Sequence, residues 1–131
     1  MAGYRDLDVW QMSMTLVEEV FAVCDRLPAA QRFTLVAQLQ RAAISVPSNI
    51  AEGHAKRPSR DYPRHLKIAA GSLAEVETQL ELCVRLRMVS RDDVREAWAC
   101  SQRVAQMLSR LIRRVDAPSP RTPNAEPPTA G

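Results

Sequence analysis

The side chains that could carry reaction chemistry in this 131-residue sequence are two histidines, three cysteines and one run of glutamates. His54 and His65 have no Cys or carboxylate at the spacing a tetrahedral zinc site requires. The Glu-x-x-His pairs that build di-iron centres inside helical bundles are absent as well. Glu75, Glu77 and Glu81 lie close together, but on a helix the first two diverge by about 200°. Glu77 and Glu81 share a face, which reads as a solvated stripe. No glycine-rich phosphate loop and no nucleophile elbow occurs. Cys24, Cys83 and Cys100 are too few and too scattered for a disulfide framework. They fall on or beside apolar seams, as small core residues do, and imply a reducing cytoplasm. The sequence is therefore read as non-enzymatic, with no metal and no cofactor expected.

Charge is more informative. Eighteen Lys+Arg against fifteen Asp+Glu leave +3, and every cation is Arg except Lys56 and Lys67. Residues 1–25 carry −4, 26–67 carry +6, 68–90 carry −1, 91–115 carry +3 and 116–131 carry −1. The run from Arg41 to Gly53 also stands out. Wound into a helix, Arg41, Ser45, Ser48 and Glu52 share one face, opposite Ala43, Val46 and Ile50. A solvated polar stripe accounts for this pattern. The sharper reading is that Asn49 and Glu52 satisfy backbone groups freed by Pro47, or lie in a subunit contact.

The elements that must position these residues are helices. Leu7, Trp10, Met14, Val17, Phe21 and Cys24 step by three and four, as do Tyr62 through Cys83 and Val94 through Val115. A mean period of 3.5 is the seam of helices packed side by side. Helix 1 carries a second stripe, Val9, Leu16, Val20, Val23 and Leu27, which is either part of a broad core face or a surplus buried against another subunit. Helices are expected at about 5–27, 31–53, 60–88 and 91–115, in one domain over 1–115. Pro28 closes the first, Gly53 suits the left-handed position after the second, Ser59 caps the third, and Ser90 with Asp93 caps the fourth. Pro47 is expected to kink helix 2. Five of nine prolines fall in residues 116–131, read as a disordered tail. No apolar run reaches the ~18–20 residues of a membrane span, and no signal segment is expected.

Short connections make neighbouring helices antiparallel, so the fold class is all-α, an up-down-up-down four-helix bundle. That topology gathers the end of helix 2, the start of helix 3, the end of helix 4 and the start of helix 1 at one pole. Arg5, Lys56, Arg57, Arg60, Arg64, Lys67, Arg110, Arg113 and Arg114 meet there with Asp6, Asp8, Glu52 and Asp61, a balance of +5. Arginines at the end of helix 4 suit its macrodipole, but Arg60 and Arg64 at the start of helix 3 oppose theirs. Cations placed against local preference point to a polyanion bound through its phosphates, RNA or DNA. The alternative is a protein-interaction scaffold with no nucleic-acid role.

Tyr4-Arg-Asp-Leu-Asp-Val-Trp10, Gln38-Leu-Gln-Arg-Ala-Ala43, Ser45-Val-Pro-Ser-Asn-Ile-Ala-Glu-Gly53 and Ala69-Ala-Gly-Ser-Leu-Ala-Glu-Val-Glu-Thr-Gln-Leu80 resemble the bacterial four helix bundle protein family. Its members were first noted as products of intervening sequences within large-subunit ribosomal RNA genes. The resemblance implies a homopentameric barrel of antiparallel bundles, with Gly71-Ser72 as a small pair admitting close helix approach. The sequence is also similar to the accessory subunit of diversity-generating retroelements, which implies a basic pentamer that binds nucleic acid and a reverse transcriptase. Two departures are Arg64-His65-Leu66, where relatives usually read Arg-Phe-Leu, and the Pro63 before it.

Overall fold

The three-four apolar spacing becomes four α-helices in the computed structural model, which describes residues 3–117. They are α1 (Asp8–Cys24), α2 (Ala37–Ala55), α3 (Asp61–Arg85) and α4 (Arg95–Asp116), with no strand among the described residues. Side-chain bonds between helices fix the directions. Lys67 near the start of α3 meets Asp116 at the end of α4, Arg26 after α1 meets Asp93 before α4, and Asn49 late in α2 meets His65 early in α3. The bundle is antiparallel, each helix packing chiefly on the two beside it. Of the Pro-rich tail expected from residue 116, Asp116 is still helical, and residues 118–131 lie outside the described residues.

The seams of α3 and α4 are buried as the spacing predicts, from Tyr62 to Cys83 and from Val94 to Leu111. Helix α1 reverses the expected order of its stripes. Val9, Leu16, Val20, Val23 and Leu27 form the core, whereas Met14 and Phe21 are 41% and 37% exposed and Trp10 is half-buried. Both stripes have helical period, so periodicity cannot rank them. Ser13 decides on the side of the inner stripe, because its hydroxyl donates to the Trp10 carbonyl at 2.8 Å and it can be fully buried. All three cysteines are buried and free, as core residues should be.

The helix ends differ from expectation in instructive ways. Helix 2 does not begin at residue 31. A 3-10 turn (Ala29–Gln31) and a π-helical turn (Arg32–Val36) lead into it, with no side chain capping their free N–H groups. It also runs past Gly53 to Ala55, with Pro47 buried inside it. Helix 3 stops at Arg85 instead of 88 because Arg87 adopts φ 60°. The Met88 and Arg87 amides then donate to the Cys83 and Val84 carbonyls at 3.0 and 2.9 Å, the double closure that ends helices. The Ser59 hydroxyl accepts the Asp61 amide at 3.2 Å, but the residue that directly precedes α3 is Arg60, whose side chain caps nothing. The Ser90–Asp93 box is reciprocal, at 2.8 and 3.1 Å, but it opens a 3-10 turn (Asp92–Val94), and α4 begins at Arg95 instead of 91 with no side-chain cap of its own.

Gly53 is therefore not a helix terminator. A Cβ at this position would stand 2.8 Å from His65 Cβ and 3.2 Å from the Tyr62 carbonyl oxygen. Here α2 and α3 approach too closely to admit a side chain. Gly71, expected to serve that purpose, is exposed with nothing within 4 Å of its missing Cβ, and of the pair only Ser72 is buried. The two glycines should therefore respond oppositely to alanine. Gly53→Ala should lower unfolding free energy by about 1–3 kcal/mol through overpacking. Gly71→Ala should raise it by ~0.5–1 kcal/mol through helix propensity. Chemical denaturation of both variants measures the contrast, and equal effects would contradict the packing.

Candidate nucleic-acid interface

Two helix ends, of α2 and α4, and two helix starts, of α1 and α3, meet at the pole that carries the cations. Lys67 Nζ donates to Asp116 Oδ2 at 2.8 Å, tying the first turns of α3 to the last residue of α4. Burial raises the Tyr62 pKa while Arg57 and Arg114 pull it down, so cations from the α2–α3 connection and from α4 flank one ring. All nine cations expected here are exposed. Asp116 belongs to the pole too, which corrects its balance from +5 to +4. It was missed because a terminal Asp beside a proline-rich stretch reads as tail.

The cations divide into tethered and open ones. Lys56 pairs with Glu52 at 3.4 Å, Arg64 with Asp61 at 3.3 Å, and Arg113 donates to the Ser109 hydroxyl at 3.0 Å. Arg57 Nε donates to the His54 carbonyl at 3.0 Å, capping the end of α2. Arg5 lies 6.0 Å from the Trp10 ring centre. Arg60, Arg110 and Arg114 have no side-chain hydrogen bond or ion pair among the described residues. Those three are the free positive charge of the pole.

A half-buried polar seam runs from the middle of the α2–α3 contact to this pole. The Ser72 hydroxyl donates to Ser45 Oγ at 2.8 Å, and Asn49 Nδ2 donates to Ser45 Oγ and the Ser45 carbonyl at 3.0 and 2.9 Å. With its amide nitrogen so committed, Asn49 presents Oδ1 to His65 Nδ1 at 3.0 Å. Nδ1 therefore carries the ring proton, leaving Nε2 to accept from Lys56 Nζ at 3.2 Å. Glu52 Oε2 lies 3.8 Å from the same ring nitrogen. His54 is also buried, its ring edge-on to Tyr62 at 5.7 Å, and burial with Arg57 nearby lowers its pKa.

The polar stripe expected on α2 is thus split. Arg41, Ser48 and Glu52 are exposed, but Ser45 turns inward to α3. Asn49 and Glu52 do not satisfy the carbonyl freed by Pro47, which is that of Ala43. Asn49 takes the Ser45 carbonyl, and Glu52 takes Lys56. His65 was read only as a departure from an aromatic, and the seam centred on it was not anticipated. The signal lay in the 3.6 period, which puts Ser45, Asn49, Glu52 and Lys56 along one edge of α2.

Elsewhere the chemistry is closed. A cleft of about 420 Å³ at the opposite pole is lined by Glu81, Arg91, Arg95 and Trp98. Its charges pair internally, Arg91 with Glu81 at 3.0 Å and Arg95 with Asp92 at 2.9 Å, and Arg91 and Arg85 hold the Glu81 carboxyl down to about 2. Glu77 is not merely solvated, since it accepts from Gln102 of α4 at 2.9 Å. Burial pushes the Cys24 thiol up to about 11 and raises Cys83 and Cys100, which suits packing and not nucleophilic attack. No three His, Cys, Asp or Glu among the described residues are grouped to hold a metal. No helix among them is long and apolar enough to cross a membrane.

Comparison with known proteins agrees with the fold. Residues 5–110 match the family described as 23S rRNA-intervening sequence protein. Among solved structures, a protein of unknown function from the S23 ribosomal protein family of Bacteroides thetaiotaomicron VPI-5482 superposes with a TM-score of 0.74. It is 23% identical, over 80% of this chain and 98% of that one. No curated protein matches.

The seam should be sensitive to loss of its central amide. Asn49→Ala leaves the His65 Nδ1 proton without its acceptor inside the α2–α3 contact, and should cost about 1–3 kcal/mol. Ser48→Ala, one residue away and exposed, should stay within about 0.5 kcal/mol of the parent. Thermal or urea unfolding of the two variants distinguishes a structural seam from a solvated stripe.

Proposed function

The chain belongs to the 23S rRNA-intervening sequence protein family, and on that premise we propose that it is a non-enzymatic, oligomeric bundle that binds RNA or DNA phosphates at its basic pole. The observation that carries the reading is the open set Arg60, Arg110 and Arg114, from two elements, exposed and without a carboxylate partner among the described residues. Ion pairs on a solvated surface contribute only ~0–1 kcal/mol, so the tethered cations around them can exchange partners for phosphate at small cost. Binding of this kind is salt-sensitive and weakly sequence-specific, because phosphates position a protein without encoding bases.

Oligomerisation is supported by apolar surface on two separate faces. Trp10, Met14 and Ile44 line a groove of about 360 Å³ on the α1–α2 side, and Phe21 is exposed further along α1. Ile68, Leu82 and Trp98 are exposed on α3 and α4. Two unlike faces on one subunit fit a head-to-tail contact, which closes into a ring when the rotation permits. Five subunits is the number the family resemblance implies. Met14→Glu, which puts a charge in the groove without touching the core, should shift the protein towards monomer in light scattering. A parent that is monomeric at micromolar concentration would end the ring.

For the pole, fluorescence anisotropy with a structured RNA should show affinity falling steeply with salt. Changing Arg60, Arg110 and Arg114 together to Ala should flatten the log–log salt slope by about three. No binding at low salt would end the nucleic-acid reading in favour of a protein-interaction scaffold. Unchanged binding by the triple variant would move the site elsewhere.

A further inference from the structure

One cation of the pole is held by a group whose own charge can change. Lys56 Nζ sits between Glu52 Oε2 at 3.4 Å and His65 Nε2 at 3.2 Å, and only a neutral ring can accept at Nε2. We propose that His65 is a proton-operated latch on Lys56, closing when the ring is neutral and releasing the ammonium when Nε2 is protonated. The step involves one proton from solvent. Nε2 gains the N–H bond and loses its lone pair, Lys56 loses the nearer of its two acceptors, and Glu52, already 3.8 Å from the ring nitrogen, is drawn from Lys56 to the charged ring. The asparagine on the other side does not need to move, because Nδ1 donates to Asn49 Oδ1 in both states.

The groups facing the ring are few. Helix α2 contributes Lys56, Glu52 and the neutral Asn49. On its own helix, Asp61 and Arg64 are paired with each other at 3.3 Å. Neither α1 nor α4 gives the ring a hydrogen bond or ion pair among the described residues. Buried among these, protonated His65 would meet one anion and one mobile cation, so the cation is what leaves. The second histidine, His54, faces Tyr62 and Arg57, and its ring makes no hydrogen bond to Lys56 or Glu52 among the described residues. A phenylalanine at 65 could fill the same space, but it would offer Lys56 nothing.

The consequence rests on the phosphate-binding reading of the pole: acidification adds a charged ring behind the surface and a free lysine upon it, so nucleic-acid binding tightens as pH falls. Histidine is the side chain suited to switch over about pH 5–8. The test follows the full-length protein by NMR across that range. The His65 ring nitrogens should show the Nδ1–H form at the alkaline end, and the Lys56 side-chain signals should shift in step with His65 protonation. In parallel, anisotropy with a short RNA duplex should give a salt slope steeper by about one at the acid end. His65→Gln, whose amide can still donate to Asn49 but gains no proton, should lose that increment.

Lys56 signals that ignore His65, or an equal pH response in the parent and a folded His65→Gln, would overturn the latch. If the glutamine variant does not fold, the NMR titration of the parent decides alone. Coupled titration without RNA binding at either pH would leave the latch standing and remove the nucleic-acid reading.

Discussion

The close approach of α2 to α3 at Gly53 is the constraint on which the rest of this structure depends. A side chain there would collide with His65 Cβ and the Tyr62 backbone, so the two helices could not share the register that pairs Ser45 with Ser72 and Asn49 with His65. Glycine inside a helix costs about 1 kcal/mol relative to alanine. That cost is offset by contact between two backbones and by a seam whose polar atoms are partnered. Partnering matters because a buried hydroxyl or amide left alone costs more than a satisfied one returns. The register then sets the α2–α3 connection, residues 56–60, and with it the place where Lys56, Arg57 and Arg60 emerge.

Electrostatics at the pole follow from topology more than from local preference. The end of α4 is where arginines belong, since the exposed carbonyls there carry partial negative charge. Arg60 stands before the first turn of α3, where the partial charge is positive and a cation is disfavoured by a few tenths of a kcal/mol. Asp61 in that turn offsets part of this, but it is occupied by Arg64. The concentration of charge is therefore held by fold geometry against a small local penalty. The opposite pole closes the two arginines of its cleft, Arg91 and Arg95, on Glu81 and Asp92. The pole at the end of α4 keeps Arg60, Arg110 and Arg114 unpaired among the described residues.

Much of this was legible in the residues, and the failures have common causes. The four helices, the seams of α3 and α4 and the reciprocal Ser90–Asp93 cap follow from spacing and from caps that act within one turn. The stripes of α1 were ranked the wrong way round because both have the same period. Which of them faces inward depends on α2 and α4, and on a serine that can satisfy itself. Gly53 was mistaken for a terminator because the reasons for glycine at a helix end and at a helix crossing look alike in one dimension. The seam needed two helices to be visible, since Asn49 and His65 are sixteen residues apart. Gathering the cations at one pole required only connectivity, and that part survived with the addition of Asp116.

Lysine and arginine play different parts at the pole. The two lysines of the chain are both tethered, Lys67 to Asp116 and Lys56 between Glu52 and His65. An ammonium is a compact point charge that two acceptors can share, and its release leaves a flexible, strongly hydrated cation. The open positions, 60, 110 and 114, are all arginine, whose planar fork matches a phosphate in two-point contact and keeps its charge at any physiological pH. The pole thus separates a fixed set of phosphate-shaped donors from one lysine whose availability depends on a buried ring. That division would be lost if arginine and lysine were exchanged, although the net charge would be the same.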